Sequence, residues 1–89
     1  MAAIRFIYYT SHFVRAAKRL PAELQSAAEE RELLFRRNCF DPRLKTHKLS
    51  GRLRELWSFS LAYKYRIAFR FVDGTTVEFV DTGDHDIYQ

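Results

Sequence analysis

Apolar side chains stand at every second position in two neighbouring stretches of the second half of the chain. These are residues 57–61, Trp-Ser-Phe-Ser-Leu, and residues 65–71, Tyr-Arg-Ile-Ala-Phe-Arg-Phe. Because successive side chains of a β-strand point to opposite faces, both stretches predict strands with one apolar and one polar face. Asp73 and Gly74 are a strong hairpin signal that leads into a further strand over residues 76–82. The sequence therefore predicts an antiparallel meander of three strands.

The first half of the chain predicts one strand and two helices. Residues 3–9 are rich in aromatic and β-branched types, which favour a strand. Apolar residues then recur at helical spacing after a capping residue, Thr10 or Ser11. Pro21 ends this helix and begins a second one, which is expected to end near Asn38. The expected inner side of the second helix comprises Leu24, Ala27, Ala28, Arg31 and Leu34.

The order β-α-α-β-β-β predicts the α+β class. We expect a small, mainly antiparallel, twisted sheet with a helical hairpin packed on one face, and the other face left to solvent or a ligand. Eighty-nine residues are typical of one domain, which is expected to span residues 1–89. Among the core residues of this sheet we expect a buried Trp57.

Charge is distributed unevenly along the chain. Residues 1–72 hold all fifteen Lys and Arg against six Asp and Glu, which gives this region a net charge of +9. Such a body suits an anionic partner, and nucleic acid fits better than a membrane because no basic amphipathic helix with a strong apolar face is present. The single cysteine, Cys39, and the absence of a signal-peptide pattern favour the cytoplasm. No membrane association is expected.

Arg66 and Arg70 are predicted to lie on the polar face of one strand, four residues apart. A guanidinium pairs with phosphate through a planar fork and stays charged, so the two arginines suit a phosphate site. The alternative is that they only keep an exposed face soluble, with Arg70 paired to Glu78 on the next strand. Among the histidines, His12 at a helix start is expected to have only a capping or surface role.

His47 and His85 flank the meander, one before it and one after it. Cleavage of RNA without a metal requires a base for the 2′-hydroxyl, an acid for the 5′-oxygen and a cation for the phosphorane, and two histidines with an arginine meet that need. A zinc pair with Asp84 or Asp86 is the alternative, but no His-x-x-x-His or Cys-x-x-Cys spacing supports it. We therefore expect no metal and no cofactor.

Four motifs together resemble the RelE/ParE toxin superfamily of bacterial type II toxin-antitoxin modules. They are Thr-His-Lys-Leu-Ser-Gly at 46–51, Trp-Ser-Phe-Ser-Leu at 57–61, Tyr-Arg-Ile-Ala-Phe at 65–69 and Gly-Asp-His-Asp-Ile-Tyr at 83–88. The resemblance covers nearly the whole chain. It implies a RelE-like fold, and RelE-like and YafQ-like members of the family cut messenger RNA on the ribosome, without metal, until a cognate antitoxin wraps them.

The resemblance also implies residue roles. Arg66 matches the family's arginine at the scissile phosphate, and Tyr88 matches the C-terminal aromatic that orients the nucleotide. His47 and His85 match the two histidines of YafQ-like toxins. Two features depart from the pattern. Serines stand where RelE has strand lysines, so a lysine-based mechanism does not transfer, and the spacing from His85 to Tyr88 is one residue shorter than in YafQ-like toxins.

The sequence thus predicts a cytoplasmic toxin that acts as a ribosome-dependent endoribonuclease on messenger RNA and forms a hetero-oligomer with its antitoxin. The expected catalytic residues are Arg66, His85, His47 and Tyr88. The expected RNA-binding residues are Arg43, Lys45, Lys48, Arg52, Arg54, Ser58, Ser60 and Arg70. Two alternatives stay open: a ParE-like toxin that inhibits DNA gyrase and cuts nothing, and a non-toxic RNA-binding module of the same fold.

Overall fold

The computed structural model describes residues 2–84, except for the side chain of Arg52. Its elements are β1 Phe6–Tyr9, α1 Ser11–Lys18, α2 Ala22–Arg37, β2 His47–Lys48, β3 Trp57–Ala62, β4 Tyr65–Phe71 and β5 Thr76–Asp84, with single helical turns at Pro42–Leu44 and Gly51–Leu53. The α+β class and the order of the predicted elements are confirmed. The structure adds the short strand β2, which the sequence analysis treated as part of a connection.

The five strands form one sheet in the order β1-β5-β4-β3-β2. Strands β2 to β5 make an antiparallel meander, and β1 lies parallel to β5 at the far edge. The chain reaches β2 from β1 through the two helices, so the helical hairpin crosses one face of the sheet. The opposite face, which we call the open face, carries neither helix.

Local signals set the ends of the helices. The Thr10 hydroxyl accepts a hydrogen bond from the Phe13 backbone N–H at 3.0 Å and so caps α1, as predicted. Pro21 directly precedes α2, where its missing N–H costs nothing. At the other end of α2, Asn38 is extended, and its side-chain oxygen accepts a hydrogen bond from the Phe40 N–H at 3.0 Å.

Four phenylalanines, one each from α2, β3, β4 and β5, form the centre of the core. Phe35 of α2 stacks on Phe59 with ring centroids 4.7 Å apart and meets Phe69 and Phe79 edge-on at 4.9 and 5.5 Å. All four side chains are fully buried. Leu34, on the expected inner side of α2, packs against this core, but the residue that fills its centre is Phe35, which the expected inner side did not include.

Trp57 lies at the rim of this core. It is on the expected face of β3, but it is only half-buried and packs against Phe40 and Phe71, with centroids 5.5 and 5.6 Å away. The expected burial of Trp57 is only partial, because the helices cover the centre of the sheet and leave the start of β3 near solvent. Within residues 2–84, no helix is long and apolar enough to span a bilayer.

Candidate functional site

The open face brings together residues that the sequence analysis could only place on separate strands. Ser58 of β3 stands in register with His47 of β2 on one side and with Ala68 of β4 on the other. Arg66 stands in register with Ser60. The short β2 is therefore the element that carries His47 to the side of Arg66.

Within residues 2–84, two oxygen atoms accept hydrogen bonds from the Arg66 guanidinium. Its Nε donates a hydrogen bond to the Ser58 hydroxyl at 2.8 Å, and its Nη2 donates to the Lys45 carbonyl at 3.2 Å. Ser58 is fully buried, so its hydroxyl lies beneath the guanidinium. Charge-assisted hydrogen bonds of this kind fix both the position and the plane of the fork. Arg66 is therefore pre-set to receive an anion rather than left to move freely.

His47 shares the same carbonyl group. Its Nδ1 lies 3.1 Å from the Lys45 carbonyl oxygen and 3.2 Å from Nη2 of Arg66. A carbonyl oxygen has two lone pairs, so it can accept from Nδ1–H of His47 and from Nη2–H of Arg66 together. The opposite tautomer is also compatible with the distances, because its Nδ1 lone pair can accept from Nη2–H of Arg66. In the Nδ1–H tautomer, the Nε2 lone pair of His47 can take a proton.

The backbone around Lys45 explains how its carbonyl reaches this position. Lys45 adopts a left-handed conformation with φ of 52°, directly after the single turn Pro42–Leu44. Leu44 is fully buried, and the Thr46 hydroxyl donates a hydrogen bond to the Cys39 carbonyl at 2.6 Å. The loop is thus anchored on both sides of Lys45, which fixes the carbonyl that Arg66 and His47 share.

The Asp41 carboxylate stabilises the start of the same loop. It accepts hydrogen bonds from the Arg43 backbone N–H at 2.9 Å and from the Arg43 guanidinium at 2.9 and 3.0 Å. The Arg43 side chain and then its backbone N–H lower the pKa of Asp41 to about 2. The charge of Arg43 is therefore partly balanced by Asp41.

The other predicted RNA-binding residues are spread over the surface. Arg70 lies on the open face, but its Nε donates to Glu78 at 2.8 Å, which is the alternative the sequence analysis weighed. Lys48 stands in register with Trp57 and therefore on the helix-bearing side of the sheet. Lys45 and Arg54 are exposed, and Ser60 is half-buried beside Arg66.

Three predicted positions lie partly or wholly outside what the structure describes. The backbone of Arg52 belongs to the turn Gly51–Leu53, but its side chain is not described. His85 and Tyr88 lie outside the described residues. Their catalytic roles stay predictions.

Ser58 differs most from its expected place. Alternation put it on an exposed polar face, whereas the structure buries it completely under Arg66. The pairing register of β3 and β4 would have located Ser58, but this register cannot be read from a single sequence.

Among residues 2–84, no three His, Cys, Asp or Glu side chains come together as a metal site would require. Asp84, one partner in the zinc alternative, forms an ion pair with Lys64 at 2.8 Å.

His12 lies away from this cluster. His12 is at the start of α1, where its Nε2 lies 3.0 Å from Oδ1 of Asp81, and its side chain is 62% exposed. The expected surface role is consistent with this exposed contact to Asp81.

No protein-family model and no curated protein sequence matches the chain. Solved structures do match. The YoeB/ParE toxin from Agrobacterium tumefaciens superposes with a TM-score of 0.74 at 18% identity, over 91% of this chain and 99% of that one. YafQ from E. coli strain BL21(DE3) gives 0.68 at 15% identity, over 91% and 93% of the two chains. A chain of the RelBE2 toxin-antitoxin complex from Mycobacterium tuberculosis gives 0.70 at 21% identity, over 94% of each chain. The chain has the fold of the RelE/ParE-like toxins.

Proposed function

We propose that this chain is the toxin of a type II toxin-antitoxin module and acts as a metal-independent endoribonuclease on messenger RNA in translating ribosomes. The observation that carries the proposal is the cluster of Arg66, His47 and the Lys45 carbonyl on the open face of the sheet. It combines a fixed cation with a neighbouring imidazole nitrogen that can accept a proton. The shared fold supports the toxin assignment.

The proposed reaction uses the RNA's own 2′-hydroxyl as the nucleophile. Nε2 of His47 takes the 2′-hydroxyl proton, the 2′-oxygen bonds to phosphorus, and the bond from phosphorus to the 5′-oxygen breaks. The leaving 5′-oxygen takes a proton from an acid, for which we propose His85. The products are a 2′,3′-cyclic phosphate and a 5′-hydroxyl. Arg66 would stabilise the extra negative charge that develops on the phosphoryl oxygens.

Tyr88 is proposed to orient the nucleotide at this site. Exposed basic side chains in the segment before β3, which include Lys45 and Arg54, would attract the negatively charged RNA backbone. Because this attraction carries no sequence information, we do not assign a codon preference to them.

We propose an antitoxin protein as the partner, and the similar solved structures include the toxin-antitoxin complexes RelBE2 and DinJ-YafQ. A groove of about 520 Å³ between α1 and α2 is lined mainly by apolar side chains, including Phe13, Ala17 and Leu33. Lys18, Glu29 and Glu32 also line this groove, and Arg15 on α1 is exposed. A partner segment with apolar side chains fits the groove, and acidic side chains of the partner would pair with Lys18 and Arg15.

Induced expression in a bacterial host tests the proposal. We expect growth arrest, relief of the arrest when the antitoxin gene is co-expressed, and new messenger RNA 5′-ends that depend on ongoing translation. Mapping these ends by sequencing checks the nuclease. Arrest with gyrase-linked DNA breaks and intact messenger RNA would instead establish the ParE-like alternative. Growth without arrest, together with RNA binding, would favour the non-toxic RNA-binding module.

Ser58→Ala tests whether the buried hydroxyl positions Arg66. The substitution removes the acceptor of the Nε hydrogen bond but keeps the charge, so the guanidinium loses its fixed orientation. We expect the single-turnover rate of RNA cleavage to fall by about ten- to a hundredfold, in line with the cost of small misplacements of a catalytic group.

Ser60→Ala is the matched control for that variant. Ser60 is the next serine on the same face of β3 and stands in register with Arg66, but its hydroxyl makes no hydrogen bond within residues 2–84. We expect its cleavage rate to stay close to that of the wild type. Equal rates for the two variants would show that the Ser58 hydroxyl does not position Arg66.

A further inference from the structure

Two aromatic side chains of β1 lie outside the core. Phe6 is 52% exposed and Tyr8 is 59% exposed, and both belong to the edge strand of the sheet. They occupy alternate positions of the strand and therefore share one face. Tyr9, on the other face, packs against Phe13 and Phe79 with ring centroids 5.8 and 5.6 Å apart. Phe6 and Tyr8 are thus not needed to fill the core.

The pairing of the strands places these two aromatics on the open face with Arg66. Tyr8 stands in register with Glu78, and Glu78 stands in register with Arg70 on β4. Arg70 and Arg66 are four residues apart on that strand and point to the same side. Regular spacing within a sheet puts Tyr8 roughly 16 Å from Arg66. Arg66, Arg70 and Tyr8 therefore lie on the same face of the sheet.

The charged groups near the two rings suit an anionic ligand. The Arg5 guanidinium lies 5.4 Å from the centroid of the Phe6 ring. Glu78, the carboxylate next to Tyr8, already forms an ion pair with Arg70 at 2.8 Å. The surface thus offers exposed aromatic rings with a guanidinium beside them, and its nearest carboxylate is neutralised.

We propose that Phe6 and Tyr8 form a stacking surface for unpaired bases of a single-stranded RNA whose backbone is held at Arg66. The proposal rests on the proposed function and names a second part of the same RNA site. Exposed aromatics on a sheet face bind single strands because every base has a flat face that stacks on a ring. The two side chains are one strand repeat apart, about 7 Å, so neighbouring splayed bases can each reach one ring.

Binding of an RNA that cannot be cut tests this surface separately from catalysis. The probe is a fluorescein-labelled single strand of about ten nucleotides, long enough to span the face, with 2′-O-methyl riboses that lack the attacking hydroxyl. Fluorescence anisotropy at one fixed salt concentration measures its affinity for the full chain. We expect Tyr8→Ala and Phe6→Ala each to weaken binding by about ten- to a hundredfold, and Tyr8→Phe to keep most of it.

Tyr63→Ala is the matched control, because Tyr63 is 94% exposed but lies in the turn between β3 and β4. Its affinity for RNA is expected to stay unchanged. If Tyr8→Ala and Phe6→Ala bind as the wild type does while Arg66→Ala loses affinity, the stacking surface is overturned and the proposed nuclease is untouched.

Two other outcomes also decide the question. If the wild-type chain does not bind the probe, the stacking surface is overturned. The proposed function is then tested only by the mapping of messenger RNA 5′-ends. If Tyr8→Ala leaves RNA binding intact but prevents relief of toxicity by the antitoxin, the surface binds protein, and the proposal is again overturned.

Discussion

Arg66→Ala is expected to remain folded and to lose RNA cleavage by about 10²- to 10³-fold, the usual cost of removing one group that stabilises transition-state charge. Arg66 is half-buried on the open face, and its side chain does not contribute to the phenylalanine core. The measurement is the single-turnover cleavage of messenger RNA on translating ribosomes, with thermal unfolding to confirm the fold.

Arg70→Ala is the control that separates this effect from a general loss of positive charge. It removes an arginine from the same face of the same strand, but one that is already paired with Glu78. We expect a smaller loss of rate than for Arg66→Ala, because Arg70 makes no contact with His47 or Lys45 within residues 2–84; some loss is expected because Glu78 is left unpaired on the open face. Equal losses for Arg66→Ala and Arg70→Ala would mean that both act only through bulk charge.

His85→Ala extends the same assay to the proposed acid. Loss of a general acid or base typically costs about 10²- to 10⁴-fold in rate, so His85→Ala is expected to fold and to be severely impaired. His12→Ala is its matched control, since His12 pairs with Asp81 away from the cluster.

Phe35→Ala is expected to lower the free energy of unfolding by about 3 to 5 kcal/mol, the typical cost of truncating a buried phenylalanine. The ring contacts Phe59, Phe69 and Phe79, and its removal leaves a cavity between α2 and the sheet. A small domain has little stability to spare, so this variant is expected to be partly unfolded at 37 °C. Urea titration at 25 °C measures the loss.

Leu33→Ala is the control on the same helix. Leu33 is 62% exposed, and we expect its substitution to change the free energy of unfolding by no more than about 0.5 kcal/mol. A Phe35→Ala variant as stable as Leu33→Ala would show that α2 does not pack on the sheet as described.

The elements that follow a clear period were predictable from the sequence. Alternation located β3 and β4, Asp73 and Gly74 located the turn into β5, and Thr10 located the start of α1. Strand β2 was missed because a strand of two residues has no period to detect. It forms only because it can pair with β3.

The candidate site was predictable only in part for a related reason. Residue types and resemblance identified Arg66 and His47, but the contact between them depends on the register of β2 on β3 and of β3 on β4. The same register explains why Ser58 is buried under Arg66 rather than exposed. The choice of Phe35 over Leu34 depends on the rotation of α2 about its axis, and the weak apolar stripe of this helix does not specify that rotation.

The parallel pairing of β1 with β5 affects when the chain can fold during synthesis. Phe6 pairs with Thr76 and Tyr9 pairs with Phe79, so β1 cannot join the sheet until β5 has been synthesised. Contacts so distant in sequence form late, because a long loop must close first. Arg66 and His47 therefore leave the ribosome before the sheet that orients them is complete. A nascent chain that stops before Thr76 carries both groups without the fifth strand, so β4 lacks one of its two neighbouring strands until β5 has been made.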